Sequence, residues 1–304
     1  MKKFISSIAT LALLFACTPE EKTTVVELTG ITLSEHDITF EVGDNKVLVV
    51  TFTPKNATNK DVTWMSSAPY VATVIDGVVE GVAPGTTVVV AKSGNLTDKC
   101  KVTVKNPVPD GAVDLGLSVY WATCNVGANF PEEYGDYYAW GETETKEDYS
   151  WETYKWCNGS YYTLTKYNNS SSYGTVDNKT VLDLEDDVAH VKLGGNWRMP
   201  TSSEVDELTS TTYNSSYRWK WESHNGHNGW LVTYLVNNHS IFLPAAGYRK
   251  DADLRNADSN GYYWSSSLYT GQFLAWDLHF FSAFQGGTQY TNRSYGHSVR
   301  PVTE

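Results

Sequence analysis

The stretch VATVIDGVVEGVAPGTTVVV, residues 71–90, decides the fold of the first part of the chain. Its β-branched runs are separated by turn residues at Asp76-Gly77 and at Ala83-Pro84-Gly85. Working outward, similar short runs occur at residues 31–42, 47–52, 62–64 and 101–104. Short strands divided by Gly, Pro and Asp turns are typical of a β-sandwich. The sequence therefore predicts an all-β sandwich over residues 25–105.

Four motifs in this region resemble a known family. They are VTWMSS at 62–67, VATV at 71–74, DGVV at 76–79 and GVAPGT at 81–86. Together they resemble the group-2 bacterial immunoglobulin-like domain. The resemblance implies an immunoglobulin-like sandwich that acts as a spacer in surface proteins, with Trp64 in its core. Cys100 lies in a predicted strand, where we expect a buried thiol.

Composition and charge exclude several classes of protein. The chain has 304 residues, with 23 Lys and Arg against 35 Asp and Glu, a net charge of −12. An acidic chain repels a phosphate backbone, which argues against a general nucleic-acid binder. A hydrophobic fraction of 41% excludes wholesale disorder. The length predicts about two domains.

The N-terminus has the form of an export signal. Met1-Lys2-Lys3 precedes a short apolar run that ends at Leu14-Phe15-Ala16-Cys17. This ending resembles the lipobox of bacterial lipoproteins, which implies a signal peptide over 1–17 and a lipid on Cys17 as the membrane anchor. The alternative is an ordinary signal peptide with an incidental Cys. Residues 18–24 form a tether whose acids resemble the surface-export signal of Bacteroides lipoproteins, so we expect a surface-exposed outer-membrane lipoprotein.

The composition changes after a proline-containing linker at residues 106–111. Most aromatic residues lie beyond it, in residues 112–304. Two short helices are predicted there, one over 185–192 ended by Gly194-Gly195, and one after a Thr201–Glu204 capping box with Val205 and Leu208 facing inward. Strands are predicted at 231–236, 240–243, 261–265, 275–280 and 298–302. The second domain is therefore expected to be α+β.

Six motifs of this domain resemble a second family. They are VDLGLSVYWATCNVGA at 113–128, YGDYYAWGE at 134–142, WRMPT at 197–201, LPAAGYR at 243–249, YYWSSS at 262–267 and SVRPV at 298–302. These look like the Fibrobacter succinogenes major paralogous domain. The resemblance implies a C-type-lectin-like fold, distantly similar to the formylglycine-generating enzyme fold, and no established activity. The motif tryptophans are expected in the core: Trp121, Trp140, Trp197 and Trp264.

Catalysis and metal binding have weak support in the sequence. No Cys follows Cys157, whereas formylglycine-generating chemistry needs a late Cys pair, and Ser265-Ser266-Ser267 lacks a nucleophile-elbow setting. His224 and His227, near Glu222, fit a polar loop better than a zinc site. Glu185-Asp186-Asp187 offers calcium ligands, but helix N-terminal acids explain it more simply. We expect a non-enzymatic protein without a metal or cofactor.

Cysteine and arginine positions suggest internal contacts. Cell-envelope export permits disulfides, and Cys124–Cys157 is the candidate bridge. Arg249 and Arg300 are interpreted as buried salt-bridge partners, with anion recognition as the alternative.

The candidate ligand site combines two predicted loops, residues 217–230 and 249–260. The first offers Trp219, Trp221, His224 and His227, and the second offers Arg249, Asp251, Asp253, Arg255 and Asn256. Aromatic faces beside polar groups suit a sugar site. The alternative is that both tryptophans are buried and the second loop is a solvated turn.

The sequence thus favours a surface binding or adhesion protein, with a lectin-like head that binds a glycan or a protein on an immunoglobulin-like stalk. The alternatives are a structural or pilus-associated component without a soluble ligand and an envelope hydrolase.

The lipid anchor is directly testable. Replacing Cys17 with Ala removes the thiol that would be acylated, so we expect the variant to leave the membrane fraction or to keep its signal uncut. The measurement is palmitate labelling with membrane fractionation, and Cys100→Ala is the control. Persistent labelling of the Cys17 variant would contradict the prediction.

Overall fold

The computed structural model describes residues 24–271 and 273–304, and it divides the chain into two compact units, one ending at Pro107 and one beginning at Val108. This division falls within the predicted linker at 106–111. Cys17 lies outside the described residues. Among the helices described, none is long and apolar enough to span a membrane.

Over residues 24–107, the described part of the first unit, the chain forms nine strands. Their bounds are β1 Gly30–Leu33, β2 Asp37–Glu41, β3 Asn45–Val47, β4 Val50–Thr53, β5 Thr63–Ser66, β6 Ala72–Ile75, β7 Val78–Gly81, β8 Gly85–Ser93 and β9 Leu96–Lys105. They form sheets ordered β2-β9-β8-β5 and β3-β7-β6, with β1 paired to β4. The predicted all-β sandwich is confirmed.

The turn between β6 and β7 shows why the sequence folds this way. Asp76 and Gly77 have φ of 50° and 85°, which suits the tight turn that joins twisted antiparallel strands. A Cβ on Gly77 would lie 2.6 Å from the Leu48 carbonyl oxygen and 3.0 Å from the Trp64 ring. Trp64 is half-buried against the sandwich core. Cys100 is fully buried, as expected, and burial raises its thiol pKa.

The second unit adds eleven strands and two α-helices. Its strands are β10 Ala112–Val113, β11 Tyr120–Ala122, β12 Tyr217–His224, β13 His227–Tyr234, β14 His239–Pro244, β15 Tyr248–Lys250, β16 Asp253–Arg255, β17 Asn260–Leu268, β18 Leu274–Phe281, β19 Phe284–Asn292 and β20 Val302–Thr303. The helices are α1 Val188–Leu193 and α2 Ser202–Ser210, with 3₁₀ turns at Ser171–Tyr173, Leu184–Asp186 and Thr211–Tyr213. The strands form small sheets ordered β10-β11-β20, β12-β13-β14, β15-β16 and β17-β18-β19.

Each helix begins at a side-chain cap, and the sequence predicted the one that opens α2. Asp187 caps α1 by accepting hydrogen bonds from the backbone N–H groups of Ala189 and His190, and Gly194 ends the helix. The helix is shorter than predicted because 184–186 form a 3₁₀ turn. The Thr201–Glu204 capping box opens α2. Val205 and Leu208 face the core as predicted.

Three of the four motif tryptophans lie in the core. Trp121, Trp140 and Trp264 are at most 1% exposed. Trp197 is only half-buried and lines a surface pocket of about 210 Å³ together with Cys124. The expectation of a core position was therefore wrong for Trp197.

The predicted Cys124–Cys157 disulfide is absent, since both residues are free cysteines. Cys157 is buried among Tyr154 and Leu164, where its thiol donates to the Trp151 carbonyl at 3.1 Å. Cys124 follows strand β11 and lines the pocket beside Trp197. The two thiols have different surroundings because Cys124 lies just after β11, whereas Cys157 lies in a later segment that packs with Tyr154.

Among the residues that the structure describes, none gives Arg300 a carboxylate partner, and its guanidinium is not exposed to an outside anion. Its guanidinium is 1% exposed and donates to carbonyl oxygens of Ala122, Thr123 and Phe242 at 2.8–3.0 Å. Its Nε–H donates to the Asn125 side chain at 2.8 Å. The expected salt bridge is thus replaced by neutral acceptors. Burial lowers the pKa of Arg300.

We expect Arg300→Met to lower the free energy of unfolding of the second unit by about 3 kcal/mol or more, because several buried acceptors lose their donor. Urea unfolding of the full chain measures the change. Arg218→Met on the exposed side of β12 is the matched control and should be nearly neutral. Equal losses for the two variants would contradict this role of Arg300.

Candidate ligand-binding site

The tryptophans of the predicted site lie on a strand, and they face the core. Residues 217–230 form the hairpin β12–β13, not a loop, with Asn225-Gly226 at its turn. The rings of Trp219 and Trp221 lie 6.1 and 5.5 Å from the ring of Trp230. Trp219 also donates its Nε1–H to Thr211 at 2.8 Å. Both side chains are half-buried against the core, so the predicted sugar platform is not formed there.

The two histidines of this hairpin have separate partners. The ring of His224 stacks on Phe242 at 4.2 Å, and its Nε2 lies 2.7 Å from Glu222. The ring of His227 contacts Tyr134 edge-on at 4.7 Å. They do not converge on a common point.

The acidic segment considered for calcium has lysine and backbone partners. Within the described ranges, possible metal ligands converge at Asp183, Glu185 and Asp186. The Lys166 ammonium lies among them, 2.7 Å from Asp183 and 2.5 Å from Asp186. Burial pulls the pKa of Lys166 down, but hydrogen bonds to these acids raise it overall. Asp187 serves as the helix cap, so the simpler explanation for this segment has structural support.

The second predicted loop is mostly a hairpin, formed by β15 and β16. The Arg249 guanidinium lies 5.4 Å from the Tyr137 ring centre, and the Arg249 backbone pairs with Gly296. Asp251 accepts a backbone hydrogen bond from Tyr149 at 2.9 Å. Asp253 is exposed and pairs with Arg255 at 3.2 Å. The hairpin therefore presents several of its polar side chains outward from a fixed backbone.

The two predicted segments meet at Asp258. Its carboxylate accepts hydrogen bonds from the Tyr134 hydroxyl at 2.5 Å and from the Asn228 backbone N–H at 3.3 Å. His227 Nδ1 lies 3.8 Å from the same carboxylate. Burial and the neighbouring Asp258 raise the pKa of Tyr134. The structure thus joins His227 to the second segment but leaves both tryptophans on the core side.

Four half-buried aromatic rings lie on the hairpin or beside it; we name them the tyrosine stack, formed by Tyr248, Tyr262, His279 and Tyr295. Tyr248 lies 5.7 Å from Tyr295 in a nearly parallel arrangement and contacts Tyr262 edge-on at 4.9 Å. Tyr262 stacks on His279 at 4.3 Å with an interplanar angle of 9°. The stack arises because Tyr262 and His279 are cross-strand partners on β17 and β18.

The hairpin and the stack are continuous, because Tyr248 is the first residue of β15. Arg255 is the cross-strand partner of Tyr248, and the Lys250 ammonium lies 5.5 Å from the Tyr295 ring centre. Polar groups and aromatic rings therefore occupy one surface, which is the combination expected of a site that stacks and orients a ligand.

A buried histidine–aspartate pair lies beneath the stack. His297 and Asp277 are both 0% exposed, with His297 Nδ1 3.4 Å from the Asp277 carboxylate. The His297 ring stacks on Trp264 at 3.9 Å and lies 5.4 Å from Tyr262. The Thr291 hydroxyl donates to Asp277 at 2.9 Å. This pair packs under the stack, and neither side chain is exposed to solvent.

Burial sets the protonation of these groups. It raises the pKa of Asp277 to about 7 and lowers the pKa of His297 well below its ordinary value. Burial also lowers the pKa of His279. Both imidazoles are therefore neutral at neutral pH, and the stack presents uncharged rings beneath a charged hairpin.

Sequence reasoning identified residues 249–260 as a polar loop, not as a hairpin, and missed its aromatic partners. Tyr248 and Tyr262 stood within the family motifs. His279 and Tyr295 had no local signal, because His279 comes from β18 and Tyr295 from the turn after β19. The Asn225-Gly226 dipeptide between alternating apolar residues could have identified the β12–β13 hairpin.

Two family models match parts of the chain. The bacterial Ig-like domain (group 2) matches residues 27–104. A domain of unknown function, DUF8237, matches residues 220–302, a range that contains the whole tyrosine stack, the β15–β16 hairpin and most of the β12–β13 hairpin.

Curated relatives share limited regions. An Ig-like virion protein of Serratia phage KSP90 is 49% identical over 84 residues, 26% of this chain and 33% of the phage protein. An alpha-L-arabinofuranosidase of Bifidobacterium longum subsp. longum is 33% identical over 113 residues, 36% of this chain and 11% of that enzyme. The chain thus spans a third or less of the length of these relatives.

Solved structures of the S-layer protein SbsC are similar to this chain, with low TM-scores. Domains 4 and 5 match with a TM-score of 0.24 and 24% identity, over 26% of this chain and 52% of that one. Domains 5–6 match with a TM-score of 0.24 and 12% identity, over 88% and 97% of the two chains.

The buried pair predicts a pH dependence of stability. Folded Asp277 stays neutral up to pH about 7, whereas the side chain in the unfolded protein ionises near pH 3.8. The contribution of neutral Asp277 to the free energy of unfolding is therefore full below pH 3.8 and is lost as pH rises to about 7. His297 has the opposite effect. Because its pKa is lowered in the folded protein, the free energy of unfolding decreases as pH falls below about 6.5.

We therefore expect the stability of Asp277→Asn, relative to wild type, to rise between pH about 4 and about 7. His297 is present in both proteins, so its effect largely cancels in the difference. Urea unfolding across this pH range measures it, with Asp251→Asn, an exposed acid, as the control. A pH-independent difference for Asp277→Asn would contradict the prediction.

Proposed function

We propose that this is a non-enzymatic surface protein in which an immunoglobulin-like unit presents a ligand-binding second unit. The Ig-like match over residues 27–104 supports the first part. The phage relative is itself called a virion protein, and this supports an extracellular surface location. The lipobox ending at Cys17 supports anchoring as an outer-membrane lipoprotein.

The proposed binding face is the tyrosine stack with the β15–β16 hairpin. The observation that carries it is the position of Arg255 opposite Tyr248 in the hairpin and of the Lys250 ammonium 5.5 Å from the Tyr295 ring centre. These contacts hold polar groups against aromatic rings before any ligand arrives, which lowers the entropy lost on binding. The ligand class we propose is a glycan or a surface protein.

A lectin-like fold for the second unit is part of the same proposal. The order of α1, its Gly194 end, the WRMPT segment, α2 and the Tyr-Trp-Ser strand β17 supports it. In such a fold, loops and hairpins held on a rigid scaffold carry the binding function.

Two observations favour binding over hydrolysis. His297 and Asp277 are fully buried, so they cannot reach an external substrate. Ser265 and Ser266 are buried too, and the Ser265 hydroxyl donates to the Trp276 carbonyl at 2.8 Å. The enzyme relative shares 11% of its length with this chain, which gives little support to the hydrolase alternative.

The test is binding of the full chain to a glycan array and to a panel of purified surface proteins. We expect Tyr248→Ala to weaken binding by about tenfold or more, because a central aromatic anchor is removed. Tyr70→Ala, 75% exposed in the first unit, is the matched control and should not change affinity. Thermal unfolding of each variant separates lost contacts from lost folding.

Unchanged binding by a folded Tyr248→Ala variant would place the ligand elsewhere. If wild type binds neither panel and instead co-purifies with pilin subunits, the structural or pilus-associated alternative replaces this proposal.

A further inference from the structure

A second group of aromatic side chains lies outside the tyrosine stack; we name it the tyrosine patch, formed by Trp151, Tyr161, Tyr162, Tyr173 and Phe273. Tyr162 is 57% exposed, and the other four are half-buried. Tyr161, Tyr162 and Phe273 belong to none of the core clusters of the described chain. Core filling therefore does not account for these three rings.

The rings of the patch contact one another closely. Tyr161 lies 4.1 Å from Tyr162 and 4.9 Å from Phe273. Tyr162 stacks on Tyr173 at 5.7 Å with an interplanar angle of 9°. Trp151 contacts Tyr161 at 5.9 Å and Phe273 at 6.4 Å. The result is one continuous aromatic surface assembled from distant parts of the chain.

Hydrogen bonds fix the loops that carry the patch. The backbone N–H of Leu164 donates to the Tyr173 carbonyl at 2.7 Å, and Thr175 donates back to the Leu164 carbonyl at 2.8 Å. Gly174 has φ of 122°, and a Cβ there would lie 2.2 Å from the Leu164 carbonyl oxygen, so only glycine fits this crossing. The Ser160 hydroxyl accepts from the Tyr162 backbone N–H at 3.3 Å. The tyrosines are therefore held in place without a ligand.

The segments that build most of the patch contain no charged residue. Residues 156–165 read WCNGSYYTLT, residues 168–176 read NNSSSYGTV, and residues 268–276 read LYTGQFLAW. The chain as a whole carries a net charge of −12. Within these three segments, the polar side chains that accompany the rings in sequence are hydroxyls and amides.

We propose that the tyrosine patch is a binding site for neutral glycans, separate from the tyrosine stack. The C–H groups on one face of a pyranose ring carry partial positive charge and pack against the negative face of an aromatic ring. Ser, Thr and Asn side chains of the same loops supply uncharged partners for sugar hydroxyls. A protein partner would also use Tyr and Trp anchors, but these segments offer it no Arg and no other charged residue.

The test is affinity electrophoresis of the full chain in gels that contain neutral polysaccharides, namely β-glucan, mannan or xylan, with acidic polygalacturonate for comparison. We expect at least one neutral polysaccharide to retard the protein and polygalacturonate to retard it much less. Tyr162→Ala should weaken the retardation by about tenfold or more, and Tyr162→Phe, which keeps the ring, should retain most of it.

Controls separate this site from the proposed stack site and from misfolding. Tyr213→Ala, 95% exposed and outside the patch, should leave retardation unchanged, and Tyr248→Ala measures any contribution of the stack. The melting temperature of Tyr162→Ala should match wild type because the side chain is mostly exposed.

Four results of the electrophoresis would overturn the proposal. The first is that no neutral polysaccharide retards the protein, and the second is that Tyr162→Ala is retarded as strongly as wild type. The third is that polygalacturonate retards the protein equally, and the fourth is that only Tyr248→Ala loses retardation, which would assign the glycan to the stack. A Tyr162→Ala effect confined to binding of a purified protein would also overturn it, in favour of a protein interface.

Discussion

A buried cation without a carboxylate partner organises the second unit. A guanidinium inside a protein loses its hydration, and this cost is offset only when its N–H groups all find acceptors. Arg300 makes four such hydrogen bonds, to two carbonyls at the end of β11, to the carbonyl of Phe242 in β14 and to the side chain of Asn125. Asn125 in turn donates to the Tyr134 carbonyl, so the constraint extends toward Asp258. Separate small sheets are thereby fixed to one another.

This scaffold explains why short strands and irregular loops can carry ordered aromatic surfaces. The tyrosine stack rests on β17 and β18, whose cross-strand pairs set its ring spacing, and on the buried His297–Asp277 pair below. The tyrosine patch depends instead on loop crossings such as Leu164 with Gly174. Rings held by strands and rings held by loop hydrogen bonds both reach the surface already ordered, so little side-chain entropy is lost when a ligand stacks on them.

The position of Trp219 and Trp221 explains why the predicted sugar platform is not formed. Alternation along β12 places Trp219 and Trp221 on one face of the strand, and that face meets Trp230 and the core. The alternation of side chains along a strand predicts which residues share a face, but it does not predict whether water or protein covers that face. The β15–β16 hairpin was recognisable because charged residues in a charge-poor domain favour an exposed position.

The sequence by itself determined the sandwich, its turn at Asp76-Gly77, the Thr201–Glu204 capping box and the position of the polar hairpin. These features depend on neighbours within a few residues, where turn geometry, capping and side-chain alternation act. Only the tertiary structure decided that Cys124 and Cys157 are free and that Arg300 bonds to carbonyls. It also decided which aromatic rings meet in the stack and in the patch. Those contacts join residues far apart in the chain, and pairings over such distances depend on how all the elements pack together.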